Sequence, residues 1–505
     1  MDTEIELKFF VSPDIAIEFT KKIAEYNILR QSTKVLSNTY FDTPDHQLRA
    51  MDAGLRIRHV DDLYVQTLKI AGRVVAGLHQ RPEFNNNIDS NTPNLSLINK
   101  EAWPKHTHID ELQKTLIPLF DTNFTRKLWL VNMPDGSDIE VVFDQGKVMT
   151  SDQSTPISEI ELELKSGQVG ALFTLAREIS VIGNMRLGNV SKAARGYRLA
   201  DHYTPGPLKE LPFMDVDKKG NIEDAFAHVL EQALVHWHIS EQYYFETRDM
   251  LALNQISQVI RFIRHLFTIY SGLIPRRSSM LLRQELQWVE DELSWVPEAL
   301  HIRHVTMDKG DFLKKLDARK KLVKHLKKQL KSYPDEKKMN AFFTSSRYTC
   351  LLLDLNRWLV TKGWQPFLDK KNEKKLAKQV KPFADKVLKK SWEELMAVFP
   401  EEQKFSRQDY LDQWPRLNRN LLTGRCFATL YDDESRSSFR LPWLDVMRGI
   451  EDLQVLAPLH NLIDKVEDED EQKQFVKWLI RKEEYLLHAI DQTRHNSIGL
   501  TPYWY

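Results

Sequence analysis

Carboxylates and bases recur at alternate positions in short segments of the first two hundred residues, and that spacing decides which chemistry is open to the chain. Glu4, Glu6 and Lys8 alternate in EIELKF, Glu140 and Asp144 share a phase in DIEVVFDQG, and Glu159, Glu161 and Glu163 alternate in SEIELEL. The basic counterparts are Arg56 and Arg58 in LRIRHV, Lys69 in TLKI and Arg81, beside Glu83, in QRPEF. Alternate side chains of a strand share a face, so each segment has one charged and one apolar face. Carboxylates gathered into one confined space repel and need cations or shared protons. All-oxygen donors suit hard divalent ions, Mg2+ or Mn2+. No His or Cys joins the charged faces of these segments, which disfavours zinc. Arg forks and Lys ammoniums bind closely spaced anionic oxygens, Arg in bidentate fashion.

The elements that carry these residues are short strands bounded by turn chemistry, such as TPD at 43–45, PDGSD at 134–138 and DQG at 144–146. Together they imply an antiparallel sheet closed on itself. Two arrangements fit the alternation. In one, charges face solvent and the apolar faces meet in a core, as in most alternating strands. In the other, charges line the lumen of an inside-out barrel and the apolar faces pack outward under helices. A barrel of about eight strands has a lumen that side chains or one small ligand fill. Alternation alone favours the first. The sorting by sign favours the second: acids fall on the first and last strands and bases on the middle ones, whereas pairing across a solvated face would mix them.

Eight motifs in order, ExExK at the N-terminus, YFDTPD, LRIR, TLK, QRPEF, the DQG turn, EIELEL and SKAARGYRL, resemble the CYTH superfamily, the triphosphate tunnel metalloenzymes, over residues 1 to about 203. The rest of the chain resembles a CHAD domain, and the combination resembles bacterial inorganic triphosphatases. The resemblance implies an eight-stranded antiparallel tunnel that hydrolyses a triphosphate with two divalent ions, Mg2+ or Mn2+. Arg56, Arg58 and Lys69 match its phosphate-binding motifs directly; Lys8 and Arg81 join them, and Arg126 in FTRKLW and Lys192 in SKAARGY match by order and context. Arg195 is either a further substrate ligand or a partner for an acid that holds the last helix. The metal set is Glu4, Glu6, Asp144, Glu159, Glu161 and Glu163. One ion on the Glu161/Glu163 side would orient the substrate and one near Glu4 and Glu6 would polarise water, so Glu4, Glu6 and Lys8 are the catalytic candidates. Inorganic tripolyphosphate is the implied substrate. An organic triphosphate would want an aromatic platform; Tyr40, Phe41 and Trp103 are available, with Tyr40 and Phe41 read as strand packing.

Composition is compatible with this. A chain of 505 residues holds two or more domains, and 71 basic residues balance 71 acidic ones, so no overall field selects nucleic acid or a membrane. Cys350 and Cys426 have no metal-like spacing, which points to a reducing compartment. The start lacks a signal-peptide pattern and no apolar run approaches the ~18 residues that span a bilayer, so a cytoplasmic protein is expected. The expected organisation is α+β: a tunnel domain at 1–203 with outer helices at 14–29 and 168–183, a Pro-rich linker at 204–220, and an all-α bundle at 221–505.

The helical half has its own charge pattern. Residues 309–390 hold 24 Lys or Arg against 8 Asp or Glu. Lys320, Lys324, Lys327, Lys328 and Lys331 fall on one helix face. Such a face either binds a polyanion, which the resemblance identifies as long-chain polyphosphate, or is a solvated face paired with acids of neighbouring helices. His265 and the Arg residues of PRRSS only loosely match the His- and Arg-rich helices of CHAD domains. A polyphosphate-binding adaptor whose tunnel binds without turnover is therefore the alternative to a hydrolase; the acid sets favour the hydrolase, because anion binding alone does not require them.

Overall fold

In a computed structural model of the chain, residues 2–60, 63–75 and 78–504 are described. They form two compact units, one of residues 1–206 with 340–362 and one of residues 207–339 with 363–505. The first boundary, between residues 206 and 207, falls within the 204–220 stretch read as the linker. The 340–362 segment, assigned from sequence to the helical half, packs instead with the first unit.

Among the described residues of the first unit, ten strands form one antiparallel sheet: β1 (Asp2–Val11), β2 (Asn27–Asp42), β3 (Gly54–Val60), β4 (Leu63–Lys69), β5 (Arg73–Val75), β6 (Leu78–Ile88), β7 (Ile117–Asn132), β8 (Asp138–Met149), β9 (Ser154–Ser166) and β10 (Met185–Leu187). Eight of them close into a barrel in the order β1-β9-β8-β7-β2-β3-β4-β6, with β6 returning to β1. The outer strands β5 and β10 add to β6 and β1. Closure makes the first and last barrel strands neighbours: Lys8 lies opposite Glu161 and Glu6 opposite Glu163.

The barrel is inside-out. Leu7 and Phe9 of β1, Ile139 and Val141 of β8, and Ile160 and Leu162 of β9 are buried on the outer face, away from the charged residues that alternate with them. Helices α1 (Ala16–Ile23) and α4 (Val169–Ile179) bring Phe19, Ile23, Leu172 and Ala176 to the outer apolar layer. Phe19 meets Trp129 and Phe143 edge-on, each with ring centroids 5.7 Å apart. Elsewhere on the outer wall, α2 (Gln47–Ala50) and α3 (Ile109–Thr115) cover Phe41, Leu55, Ile57 and Leu68, and Trp103 joins that cluster. The expected helix at 14–29 is shorter, because β2 begins at Asn27.

One end of the lumen is filled by an apolar cluster of Leu36, Tyr40, Phe120, Phe124, Val148, Ile157 and Tyr197, the last from α5 (Lys192–Ala200). A methyl group on Gly196 would lie 2.0 Å from the Phe120 ring, so only glycine lets the helix approach this far. The second unit is helical; Ile222–Thr247, Met250–Ile269, Arg407–Cys426, Asp433–Val455 and Glu469–Ile498 are its longest members, with Trp237, Tyr270 and Trp443 fully buried among them.

Phe19→Ala should cost about 3–5 kcal/mol in denaturant unfolding of this unit, whereas Ile17→Ala, 69% exposed on the same helix, should stay within about 0.5 kcal/mol. Equal costs would contradict the outward-packed layer.

Candidate active site

The lumen encloses a cavity of about 870 Å³. Glu4, Glu6, Lys8, Arg56, Arg58, Lys69, Arg81, Arg126, Glu161, Glu163 and Lys192 all line it, so eleven of the fourteen candidate residues share one space. The walls are sorted. β1, β9 and β8, consecutive in the barrel, carry five of the seven lining carboxylates; β3, β4, β6 and β7 carry five of the ten lining bases, Arg56, Arg58, Lys69, Arg81 and Arg126. Ten basic side chains line the cavity against seven acidic ones, which leaves it positive overall.

The three remaining candidates sit behind the wall. Asp144 and Glu159, opposite one another on β8 and β9, have no exposed surface. Glu159 receives Lys8 at 3.2 Å and also pairs with Lys192 and Arg195. Arg126 grips Asp144 with two parallel bonds of 2.8 and 2.6 Å, and Lys192 approaches the same carboxylate to 2.7 Å. Glu161 faces the cavity and joins the network through Lys8, Lys192 (3.1 Å) and Arg126 (3.1 Å). Burial alone would raise the Glu161 carboxyl, but Lys192, Lys8 and Arg126 hold it well below the carboxylate range. Asp144 is likewise lowered, against its burial, by Lys192 and Arg126. Burial opposes the charge of Lys8 too, and Glu159 and Glu161 outweigh it and raise the ammonium. Arg195 therefore meets an acid at the helix, as one of its two expected roles required.

The other acids differ. Glu6 has no ion pair among the described residues; burial and then Glu161 raise its carboxyl. Burial is also the main cause raising Glu4, despite its contact with Lys69, and Glu163, despite Lys165 at 2.6 Å. In the Glu4–Glu6–Glu163 sector burial thus favours the neutral carboxyl, and of the three only Glu6 lacks a cation partner among the described residues. Arg58 donates to Asn38 at 2.9 Å and meets no carboxylate among the described residues, and burial with Arg56 and Arg126 lowers its guanidinium to about 9. Arg81, in register with Glu4 on the adjacent strand, has a buried Nε that likewise finds no partner among the described residues. Sorting by sign is not complete: Glu83, on the basic wall, pairs with Lys69 at 3.2 Å and Arg56 at 3.6 Å.

Residues 2–197 match the model of the CYTH domain and residues 228–464 that of the CHAD domain. The chain carries a CYTH domain followed by a CHAD domain. Over 203 residues it is 43% identical to a protein of Haemophilus influenzae named inorganic triphosphatase; the match covers 39% of this chain and 54% of that protein, so the chain spans about half the length of this curated relative. Among solved structures, a putative adenylyl cyclase from Hippeastrum, described as having a dominant triphosphatase activity, is 20% identical over 38% of this chain and 95% of its own, at a TM-score of 0.29. A CHAD domain from Ricinus communis is 18% identical over 58% of this chain and 97% of its own, at a TM-score of 0.43.

Several residues of the CYTH lumen were not candidates from sequence. Asn85 and Lys165 line the cavity by continuing the alternation of known lumen positions, and Glu83 and Glu140, given no role from sequence beyond sharing the charged faces of Arg81 and Asp144, line it too. Tyr40 lines it as well, but it also packs in the apolar cluster and stacks on Phe120 at 4.7 Å, while Phe41 packs on the outer face, so both are strand packing, on opposite faces. His79 is the clearest omission. It lies opposite Glu6, two residues before Arg81, and only 3% of it is exposed. Its Nε2 donates to the Gly188 carbonyl at 3.2 Å. Within the YFDTPD motif Tyr40 reaches the cavity, while Asp42 holds the closed end: it accepts from the backbone of Thr43, Leu48 and Arg49 and from the Tyr197 hydroxyl at 2.8 Å.

His79 also gives a pH signature. Burial, then Lys8, lowers its imidazole to about 3, against about 6.5 in an unfolded chain. The unfolded state therefore binds the extra proton below pH 6.5, and stability falls as pH drops from there toward 3. His79→Gln should remove part of that slope, read as unfolding midpoints at pH 7, 5 and 4; an unchanged slope would mean the ring is not held neutral.

Proposed function

We propose that the chain hydrolyses inorganic triphosphate to pyrophosphate and phosphate, using Mg2+ or Mn2+, in the CYTH lumen. The observation that carries this reading is the unspent charge left after the internal ion pairs are made. Among the described residues Arg58 and Arg81 have no carboxylate partner and Glu6 has no cation partner, while burial raises Glu4 and Glu163 despite Lys69 and Lys165. Folding does not need either excess; a polyphosphate anion with a divalent cation satisfies both. The name of the Haemophilus influenzae relative supports the same substrate.

The donors fit a hard divalent ion, being all carboxylate oxygens. Asp144, Glu159 and Glu161 also gather their oxygens within 4.8 Å, but the first two are already taken up by Arg126, Lys192, Lys8 and Arg195. We therefore assign the ion-facing role to Glu4, Glu6 and Glu163, with Glu161 between the two groups, and give Asp144, Glu159 and Arg195 the task of holding the bases. When bound, the ion supplies Lewis acidity toward phosphoryl oxygens and water. Arg56, Arg58, Lys69 and Arg81 bind and orient the chain of phosphates, and Lys8, Arg126 and Lys192 present fixed positive charge from the acidic side. Phosphoryl transfer places charge on the phosphoryl oxygens, so preset cations do most of what a protein can do for it. A pure binding adaptor would not need the raised carboxyls.

The CHAD domain supplies a separate anionic preference. The helix Arg319–Leu330 buries Leu322 and Leu326 and leaves Lys320, Lys324, Lys327 and Lys328 exposed, with Lys331 just beyond it. Lys321 is paired with Glu471 at 2.9 Å. This face supports long-chain polyphosphate as a partner. No helix among the described residues is long and apolar enough to cross a membrane.

Phosphate release should be fast from tripolyphosphate with Mg2+ or Mn2+, slow from ATP, thiamine triphosphate and pyrophosphate, and absent with chelator; no release from tripolyphosphate under any metal would end the reading. Glu6→Gln and Arg58→Ala should each lower kcat by about 100-fold or more. Because Arg58 is repelled by Arg56 and Arg126, Arg58→Ala should leave thermal stability equal or higher, and a large destabilisation would show that its charge serves the fold.

A further inference from the structure

The cavity wall has one neighbour from far along the chain. β10 pairs only with β1 and is an edge of the sheet. An edge strand leaves backbone groups unpaired, and Met185 here is fully buried. Both of its groups are satisfied by the 340–362 segment: its N–H donates to the Thr344 carbonyl at 3.3 Å, and its carbonyl accepts from the Thr349 hydroxyl at 2.7 Å. Thr349 has no exposed surface and belongs to the helix Ser346–Val360, within the stretch that matches the CHAD model.

Three residues after Met185, the chain is pinned to the lumen wall. The Gly188 N–H donates to the Lys8 carbonyl at 2.8 Å, and the Gly188 carbonyl accepts from His79. A side chain at 188 would press on Phe10 and Lys8 at 3.1–3.2 Å. The next turn ends at Ser191, whose hydroxyl caps α5 by accepting from the Ala194 N–H at 3.0 Å, and α5 begins with Lys192. Met185, Leu187, Val190 and Lys192 are all buried. In a close-packed interior a shift at one of them is passed on rather than absorbed.

We propose that Thr349 is a positioning residue for Lys192, so that a helix matched to the CHAD model forms a working part of the CYTH tunnel wall. This rests on the functional reading above only for its kinetic consequence. Thr349→Val keeps the shape and removes the donor, leaving the Met185 carbonyl buried and unpaired, and β10 shifts to recover a partner. Lys192 then loses its placement among Asp144, Glu159 and Glu161.

The test uses the full chain. Thr349→Val should lower kcat/KM for tripolyphosphate about three- to tenfold, the net worth of one hydrogen bond, and Thr349→Ser should restore it. Asp354→Asn, which alters an exposed pair with Arg177 on the same helix, should change nothing. In a Lys192→Met background, Thr349→Val should add less than about a twofold loss. Independent of turnover, the ammonium resonance of Lys192 in 15N-lysine-labelled protein, assigned by its absence in Lys192→Met, should move in Thr349→Val and not in Asp354→Asn. An unmoved resonance, or losses that multiply in the double variant, would overturn the proposal. A moved resonance in a protein that turns over no triphosphate would keep the positioning role and reject the functional reading instead.

Discussion

Glu159 has no exposed surface, yet three cations converge on it. A buried carboxylate is tolerable only when paired, and removing one partner of such a pair leaves the other charge stranded at a cost of several kcal/mol. Lys8, Lys192 and Arg195 discharge that debt for Glu159, and Arg126 and Lys192 do so for Asp144. The network needs β1 beside β9 and α5 against β7, β8 and β9, which only a closed barrel provides. Once charges occupy the inside, the apolar faces must be covered from outside. The surrounding helices follow from that single requirement: α1 and α4 on one flank, α2 and α3 on another, and the Ser346–Val360 helix at β10.

Internal pairing does not consume every charge. Depth along the lumen decides which groups are spent. At the level of Asp144 and Glu159 the acids and bases meet and neutralise. Toward Glu4, Glu6 and Glu163 the carboxyls rise, and around Arg58 the guanidinium falls to about 9. Opposite shifts on facing walls are unfavourable to the empty protein, and both would be reversed by the same composite ligand, an oxyanion carrying a hard cation.

Much of this was legible in the sequence, because a period of two and a sorting by sign survive without knowledge of the fold. Glu4, Glu6 and Lys8 announce a charged face, and segregation of acids from bases separates a lumen from a solvated surface. Depth was not legible. Asp144 and Glu161 look alike in the chain, but the register that sets Asp144 against Glu159 and Val142 against Glu161 sends the first behind the wall and the second into the cavity. His79 was passed over because histidine was sought as a metal ligand within the acidic motifs, although it keeps the phase of Arg81 and Glu83. The role of 340–362 could not be read either. Its apolar periodicity is that of any packed helix, and only long-range contacts with Met185 assign it to the barrel.

The closed end gives the site its polarity. Asp42 accepts four hydrogen bonds, three from the backbone that starts α2 and one from Tyr197, which locks α5 over the apolar cluster of Phe120, Phe124, Val148 and Ile157. A floor of this kind offers an oxyanion nothing, since desolvating charge against hydrocarbon is strongly unfavourable. The first cations met above it are Lys192 and Arg126, each lying over the Phe124 ring at 5.1 and 5.6 Å. Under the proposed function a linear anion would have a fixed stopping point there, and the number of charged groups it could satisfy would be set by its length measured from that point. A lumen that is merely basic would take any polyanion; under the proposed function, one that is basic, floored and faced by carboxyls raised by burial would discriminate by how many phosphates fit between floor and acids.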